Sequence, residues 1–91
     1  MRIISQDRKC DYPYENSTLF IGSMDGRVIK VVPSTGGYKG SNIAIYSTEE
    51  KAIKAMEMLR KAWINETVEF THGIYHRNIV FQFPQDDEIE V

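Results

Sequence analysis

With 91 residues, 42% of them hydrophobic and 26% charged, the chain is sized for a single domain around one core. A formal charge of −2 excludes the basic excess by which duplex-binding proteins neutralise phosphates, and it is too small for an acidic mimic of DNA. A core of this size fills with one helix against one sheet, so a deep closed cavity within one copy is not expected; a sizeable ligand belongs in a surface groove or between subunits.

In chain order, Arg2–Ser5 reads as a short strand and Gln6 to Lys9 as a polar turn. Cys10–Tyr14 reads as a return strand that Pro13 confines to an edge or an end. After a loop at Glu15 to Ser17, Thr18–Gly22 is β-branched and aromatic. The Asp25-Gly26 pair inside Met24–Arg27 is a hairpin signal, and Arg27–Val32 is the returning strand, stopped by Pro33. Ser34 to Ser41 is a glycine-rich loop, and Asn42–Tyr46 another strand.

A helix is expected next, with Ser47 as N-cap and Glu50 completing a capping box. Ala52, Ala55, Met56, Leu59, Ala62 and Trp63 recur at helical spacing and make one apolar face, while Lys51, Lys54, Glu57, Arg60 and Lys61 make the polar one. The pattern ends near Ile64-Asn65. Val68–Thr71 and Ile79–Phe83 read as strands joined by a polar turn over His72 to Asn78, and Asp86, Asp87, Glu88 and Glu90 form an acidic, solvated tail over residues 85–91. The expected fold class is therefore α+β, one domain over 1–91, with an antiparallel sheet of about five to seven strands packed on one long helix.

Catalytic chemistry has little to draw on. Cys10 is the single cysteine, so no intramolecular disulfide forms within one chain. His72 and His76 are too few for a zinc site without a nearby third donor, and no motif links them to a nucleophile. No metal, cofactor or catalytic role is expected. No apolar run approaches the roughly 18 residues of a membrane span, and the first residues have no signal-peptide core; a cytoplasmic location away from membranes is expected. Asn16-Ser17-Thr18 and Asn65-Glu66-Thr67 are then chance matches to the glycosylation pattern.

Two loops suit ligand binding. In Gly36-Gly37-Tyr38-Lys39-Gly40, glycine amides can cradle an anion, Lys39 adds charge and Tyr38 a flat face; the segment is neither a Walker loop nor a Rossmann fingerprint. In the second, Tyr75, His76 and Arg77 combine stacking faces with a phosphate fork, to which Arg27 is added from the hairpin. Tyr12 and Tyr14, either side of Pro13, suit the core or a stacked ligand, and Trp63 reads as packing.

Five segments carry a resemblance: Met1–Asp7 (MRIISQD), Tyr12–Glu15 (YPYE), Tyr46–Ala52 (YSTEEKA), Ala55–Arg60 (AMEMLR) and Phe83–Glu88 (FPQDDE). In order and wording they resemble a family of small proteins encoded by phages and prophages of Firmicutes. They cover about a third of the chain, and the family often has glycine after Asp7, where this chain has Arg8. The resemblance brings no catalytic residues to carry over. It implies a small phage gene acting inside a Gram-positive host, with a steady scaffold and changing loops. The expected function is a counter-defence protein that binds and sequesters a small nucleotide immune signal, of cyclic oligonucleotide or ADP-ribose type, without cleaving it. A homo-oligomer is expected, since a nucleotide is most easily enclosed between subunits. The alternative is an inhibitor that binds a host nuclease or other defence protein through its acidic tail and strand edges.

Overall fold

The computed structural model describes the chain except for residues 23, 35–39, 66, 71–72 and 77–79; for residues 24, 65, 67–70 and 73–76 it describes the backbone alone. Among the described residues the elements run β1 (Arg2–Ile4), β2 (Asp11–Pro13), β3 (Ser17–Gly22), β4 (Val28–Pro33), β5 (Ser41–Ile45), α1 (Glu49–Asn65), β6 (Thr67–Phe70), β7 (Gly73–His76) and β8 (Val80–Gln82). Short 3₁₀ turns occupy Tyr14–Asn16, Met24–Gly26 and Asp86–Glu88.

The fold class is α+β, but the strands do not make one antiparallel sheet. They fall into a β2-β1-β8 sheet, a β3-β4-β5 sheet and a separate β6–β7 hairpin. β1 pairs with β2 antiparallel and with β8 parallel, so the two ends of the chain meet in one sheet. The break between the first two sheets has a local cause. Pro13, the last residue of β2, has no N–H to extend a ladder, and the 3₁₀ turn at Tyr14–Asn16 redirects the chain before β3 begins. The segment expected as a turn over His72 to Asn78 contains β7, which pairs with β6 from Thr67↔His76 to Phe70↔Gly73.

The β3–β4 hairpin closes where Asp-Gly predicts it. Asp25 and Gly26 both take positive φ, 58° and 80°, within the connection between the paired Gly22 and Val28. The β1–β2 turn is stapled by side chains. Ser5 Oγ donates to Asp7 Oδ1, which also accepts from Lys9 N–H at 2.9 Å, and Cys10 N–H donates to Ser5 Oγ at 3.0 Å. These bonds hold Arg8 at φ 67°, a left-handed conformation natural to glycine.

α1 buries the face its spacing predicts. Ala52, Ala55 and Leu59 are fully buried, Met56, Ala62 and Trp63 pack against the same core, and Lys54, Glu57, Arg60 and Lys61 are exposed. The helix meets Ile29, Val31 and Ile43 from one sheet and Met1, Ile3 and Phe83 from the other chain ends in a single cluster. A side chain such as Leu59 contributes about 1.5–3 kcal/mol by such burial. The N-cap is Thr48, one residue after the expected Ser47: its Oγ1 accepts from Lys51 N–H at 3.2 Å, and Ala52 N–H closes the first helical bond to Thr48 O.

Ser47 is engaged elsewhere, and this corrects the solvated tail. Ser47 N–H donates to Asp86 Oδ1 at 2.7 Å, and Lys51 Nζ reaches Asp86 O at 2.9 Å and Oδ2 at 3.3 Å. Ile89 is buried in the core cluster. The C-terminal segment is therefore docked on the start of α1, with Asp87, Glu88 and Glu90 left exposed. Tyr46 OH donates to Pro84 O at 2.8 Å, Gln6 Nε2 to the same oxygen at 3.2 Å, and Gln85 Nε2 to Gln6 O at 2.6 Å. Gln6 also joins the two larger sheets: its N–H donates to Ile43 O, and its Oε1 accepts from Ile45 N–H.

Candidate ligand groove

The loop residues chosen from sequence are not assembled into a site by the described structure. Gly36, Gly37, Tyr38, Lys39 and Arg77 lie outside the described residues, and so does His72. Tyr75 and His76 fall on β7 rather than in a turn, opposite Val68 and Thr67. Arg27 is half-buried beside β4, and its carbonyl accepts from Tyr46 N–H at 2.9 Å, a structural contact. Cys10 is exposed. Among the described residues no three His, Cys, Asp or Glu side chains converge as metal donors.

The described residues form a groove elsewhere. A groove of about 560 Å³ runs between the second half of α1 and the start of β3. One wall comes from α1: Met56, Leu59, Arg60 and Trp63 stand three and four residues apart, so they share a helix face. Tyr14 and Glu15 come from the 3₁₀ turn after Pro13, and Ser17 and Leu19 from β3. Tyr14 is fixed by its N–H, which donates to Met1 O at 3.0 Å. Its ring meets that of Trp63 with centroids 4.9 Å apart and planes tilted by 49°. Such a pair is worth roughly 0.5–1.5 kcal/mol beyond burial.

The chemistry of the groove is asymmetric. Its floor is apolar, set by Leu59, Leu19 and Met56. Glu15 at one rim accepts from the amino group of Met1 at 2.5 Å, which neutralises it locally. Ser17 Oγ donates to Pro13 O at 2.6 Å, so this hydroxyl is a turn staple. Arg60 is exposed at the other rim and makes no ion pair among the described residues. The arrangement offers aromatic faces, an apolar floor and one guanidinium. That set suits a planar ligand bearing an anion.

Two other clefts are smaller: one of about 180 Å³ beside Arg8 and Glu88, and one of about 190 Å³ beside Gln6 and Asn42. From sequence, Tyr14 suits the core or a stacked ligand and Trp63 suits packing. Both residues pack, and they also line the groove. The signal that pointed here was the Tyr-Pro-Tyr run at a strand end, but nothing local linked it to the last turns of α1. Compared with protein-family models, with curated proteins and with solved structures, the chain has no match.

Proposed function

We propose that this protein is a phage counter-defence protein that binds and holds a small nucleotide immune signal without cleaving it. The groove between α1 and β3 supports this reading above all: it sets the Tyr14 and Trp63 rings beside Arg60, over an apolar floor. Its volume of about 560 Å³ lies in the ordinary range for small ligands, roughly 300–1,000 Å³. A base stacks on the aromatic faces and a phosphate meets the guanidinium. Holding by occupancy suits a groove whose serine hydroxyl is committed to the backbone. The phage setting comes from the sequence resemblance, and two of its segments, Tyr12–Glu15 and Ala55–Arg60, supply Tyr14, Glu15, Met56, Leu59 and Arg60 to the groove.

Isothermal calorimetry against cyclic di- and trinucleotides and ADP-ribose derivatives tests the proposal, with Trp63 fluorescence as a second readout. Binding that quenches Trp63 is expected. Trp63→Leu should weaken it by about 5- to 140-fold, the loss of one base–aromatic stack at ~1–3 kcal/mol. No heat with any member of the panel refutes the reading, and a ligand recovered with altered mass refutes holding without cleavage. A stoichiometric protein partner from host lysate, in place of a nucleotide, favours the inhibitor alternative.

A further inference from the structure

Strand edges with unpaired N–H and C=O groups invite other strands, and proteins blunt them with charges, prolines, bulges or a covering segment. Most edges described here are blunted. β5 is capped by Gln6, which bonds to Ile43 O through its N–H and to Ile45 N–H through its Oε1. β2 has three residues, among them Asp11 and Pro13; β8 has three; β6 carries Glu69.

β3 differs. It lies at the edge of its sheet, runs for six residues as Ser-Thr-Leu-Phe-Ile-Gly, and holds no charge and no proline. Its register with β4 is continuous, the bulge of that sheet lying on the β4–β5 side. Phe20 on its outer face is 40% exposed, and Thr18 is exposed beside it.

We propose that β3 is a two-fold interface, paired antiparallel with β3 of a second copy of this chain. The register follows from the hydrogen bonds in place. Ser34 N–H donates to Asn16 O, which sets the alternation along β3 and turns the peptide groups of Leu19 and Ile21 away from β4. Ser17 N–H is already used, donating to Tyr14 O, but its carbonyl follows the same outward alternation. Centred on Leu19, a two-fold places each Leu19 N–H against the other copy's Leu19 C=O and each Ile21 N–H against its Ser17 C=O. Phe20 then lies opposite Thr18 of the second copy on the outer face.

The argument for self-pairing is one of charge and symmetry. An uncharged strand repels its own copy nowhere and offers a foreign partner no charge to select it, and this register pairs the outward N–H groups of Leu19 and Ile21 and the outward carbonyls of Ser17 and Leu19, leaving the Ile21 carbonyl to water. Because Ser17 and Leu19 also line the groove, the pairing sets two grooves beside one shared strand pair. The dimer stands independently of what the groove binds.

Sedimentation equilibrium of the full chain tests it, without added nucleotide. The expected mass is that of two chains. Thr18→Lys/Phe20→Lys should be monomeric with an unchanged far-ultraviolet circular dichroism spectrum, and so should Thr18→Glu/Phe20→Glu. Mixing these two variants should restore the dimer, since the register sets Lys against Glu. Ile64→Lys, at the 67%-exposed Ile64 on α1, should leave the mass unchanged. If a double variant fails to fold, Thr18→Lys alone should still raise the dissociation constant at least tenfold. A monomeric wild-type chain at ~0.5 mM, a dimer that survives the lysine substitutions, or one broken by Ile64→Lys instead overturns the proposal.

Discussion

The carbonyl of Pro84 accepts two hydrogen bonds, and this gives a sharp prediction. Tyr46 OH donates to it at 2.8 Å and Gln6 Nε2 at 3.2 Å. Tyr46 is 1% exposed, so its ring is in the core and its hydroxyl is the end that touches polar backbone. Burial raises the Tyr46 pKa, with Asp86 and Glu88 adding to it, so the hydroxyl stays protonated and donates throughout the working pH range. Tyr46→Phe keeps the ring and removes one donor, while Pro84 O keeps Gln6. The cost should therefore be that of one ordinary net hydrogen bond, ~0.5–1.5 kcal/mol. Gln6→Ala removes the second donor and also the Oε1 that accepts from Ile45 N–H at 2.9 Å. Ile45 is exposed, so water takes over that N–H, and the single change should cost ~1–2 kcal/mol. The double variant strips Pro84 O of both donors, and an unsatisfied half-buried acceptor costs ~1–3 kcal/mol. The pair should thus be more destabilising than the sum of the singles by ~1 kcal/mol. Urea unfolding of the four proteins measures this cycle. Strict additivity, or a Tyr46→Phe cost above ~3 kcal/mol, refutes the shared-acceptor account.

Other consequences are as direct. Arg8→Gly relieves a left-handed arginine at φ 67° and should raise stability by ~0.5–1 kcal/mol, the strain relieved less the chain entropy of glycine, visible as a higher urea midpoint. Thr48→Ala should cost ~1 kcal/mol as the loss of an N-cap, and Ser47→Ala clearly less; the reverse order would return the cap to Ser47. Stability should be level from neutral pH to about pH 5 and fall below ~4. Asp86 is held below its ordinary pKa, chiefly by the N–H of Ser47, and Asp7 likewise by the hydroxyl of Ser5. A depressed folded-state pKa gives stability that is present above the unfolded value and lost as protons bind. Asp86→Asn should flatten this acid limb in thermal melts across pH, and an unchanged limb counts against the docking of Asp86 on α1.

The elements legible in the sequence are those with a local cause. α1 follows from a 3.6-residue apolar period, and the β3–β4 hairpin from Asp25-Gly26, whose positive φ angles few other pairs take easily. The cap slipped by one residue because Ser47 and Thr48 are both good caps, and a distant carboxylate, Asp86, claims Ser47 N–H. The division into sheets had no local signal: β1 meets β8 in parallel from the far end of the chain, and three-residue strands carry almost no periodicity. β7 was hidden by Gly73 and its polar flanks, which read as a turn until β6 supplies a partner. The groove was illegible for the same reason as the parallel pair. Tyr14 and Trp63 each have an ordinary packing explanation, and their joint role exists once the turn after Pro13 is laid against the end of α1.

The segments MRIISQD, YPYE, YSTEEKA, AMEMLR and FPQDDE divide in space. MRIISQD, YSTEEKA and FPQDDE meet at the start of α1, where Gln6, Tyr46, Ser47, Lys51, Pro84, Gln85 and Asp86 are joined by hydrogen bonds between side chains and backbone. The N–H, carbonyl, Oε1 and Nε2 of Gln6 are all used there. This cluster closes the fold by tying both chain ends to the helix. YPYE and AMEMLR lie at the other end and supply Tyr14, Glu15, Met56, Leu59 and Arg60 to the groove, where the packing of the core alone does not call for an exposed arginine. On sequence alone the resembling segments read as scaffold and the loops as carriers of specificity; residues 35–39 and 77 lie outside the described residues. Under the proposed function the partition differs: the three segments at one end of α1 serve as scaffold, and ligand contact falls to the two that line the groove. On that partition a chain sharing YPYE and AMEMLR but differing in residues 35–39 should bind the same ligand class, and calorimetry on such a loop-exchanged variant separates the two partitions.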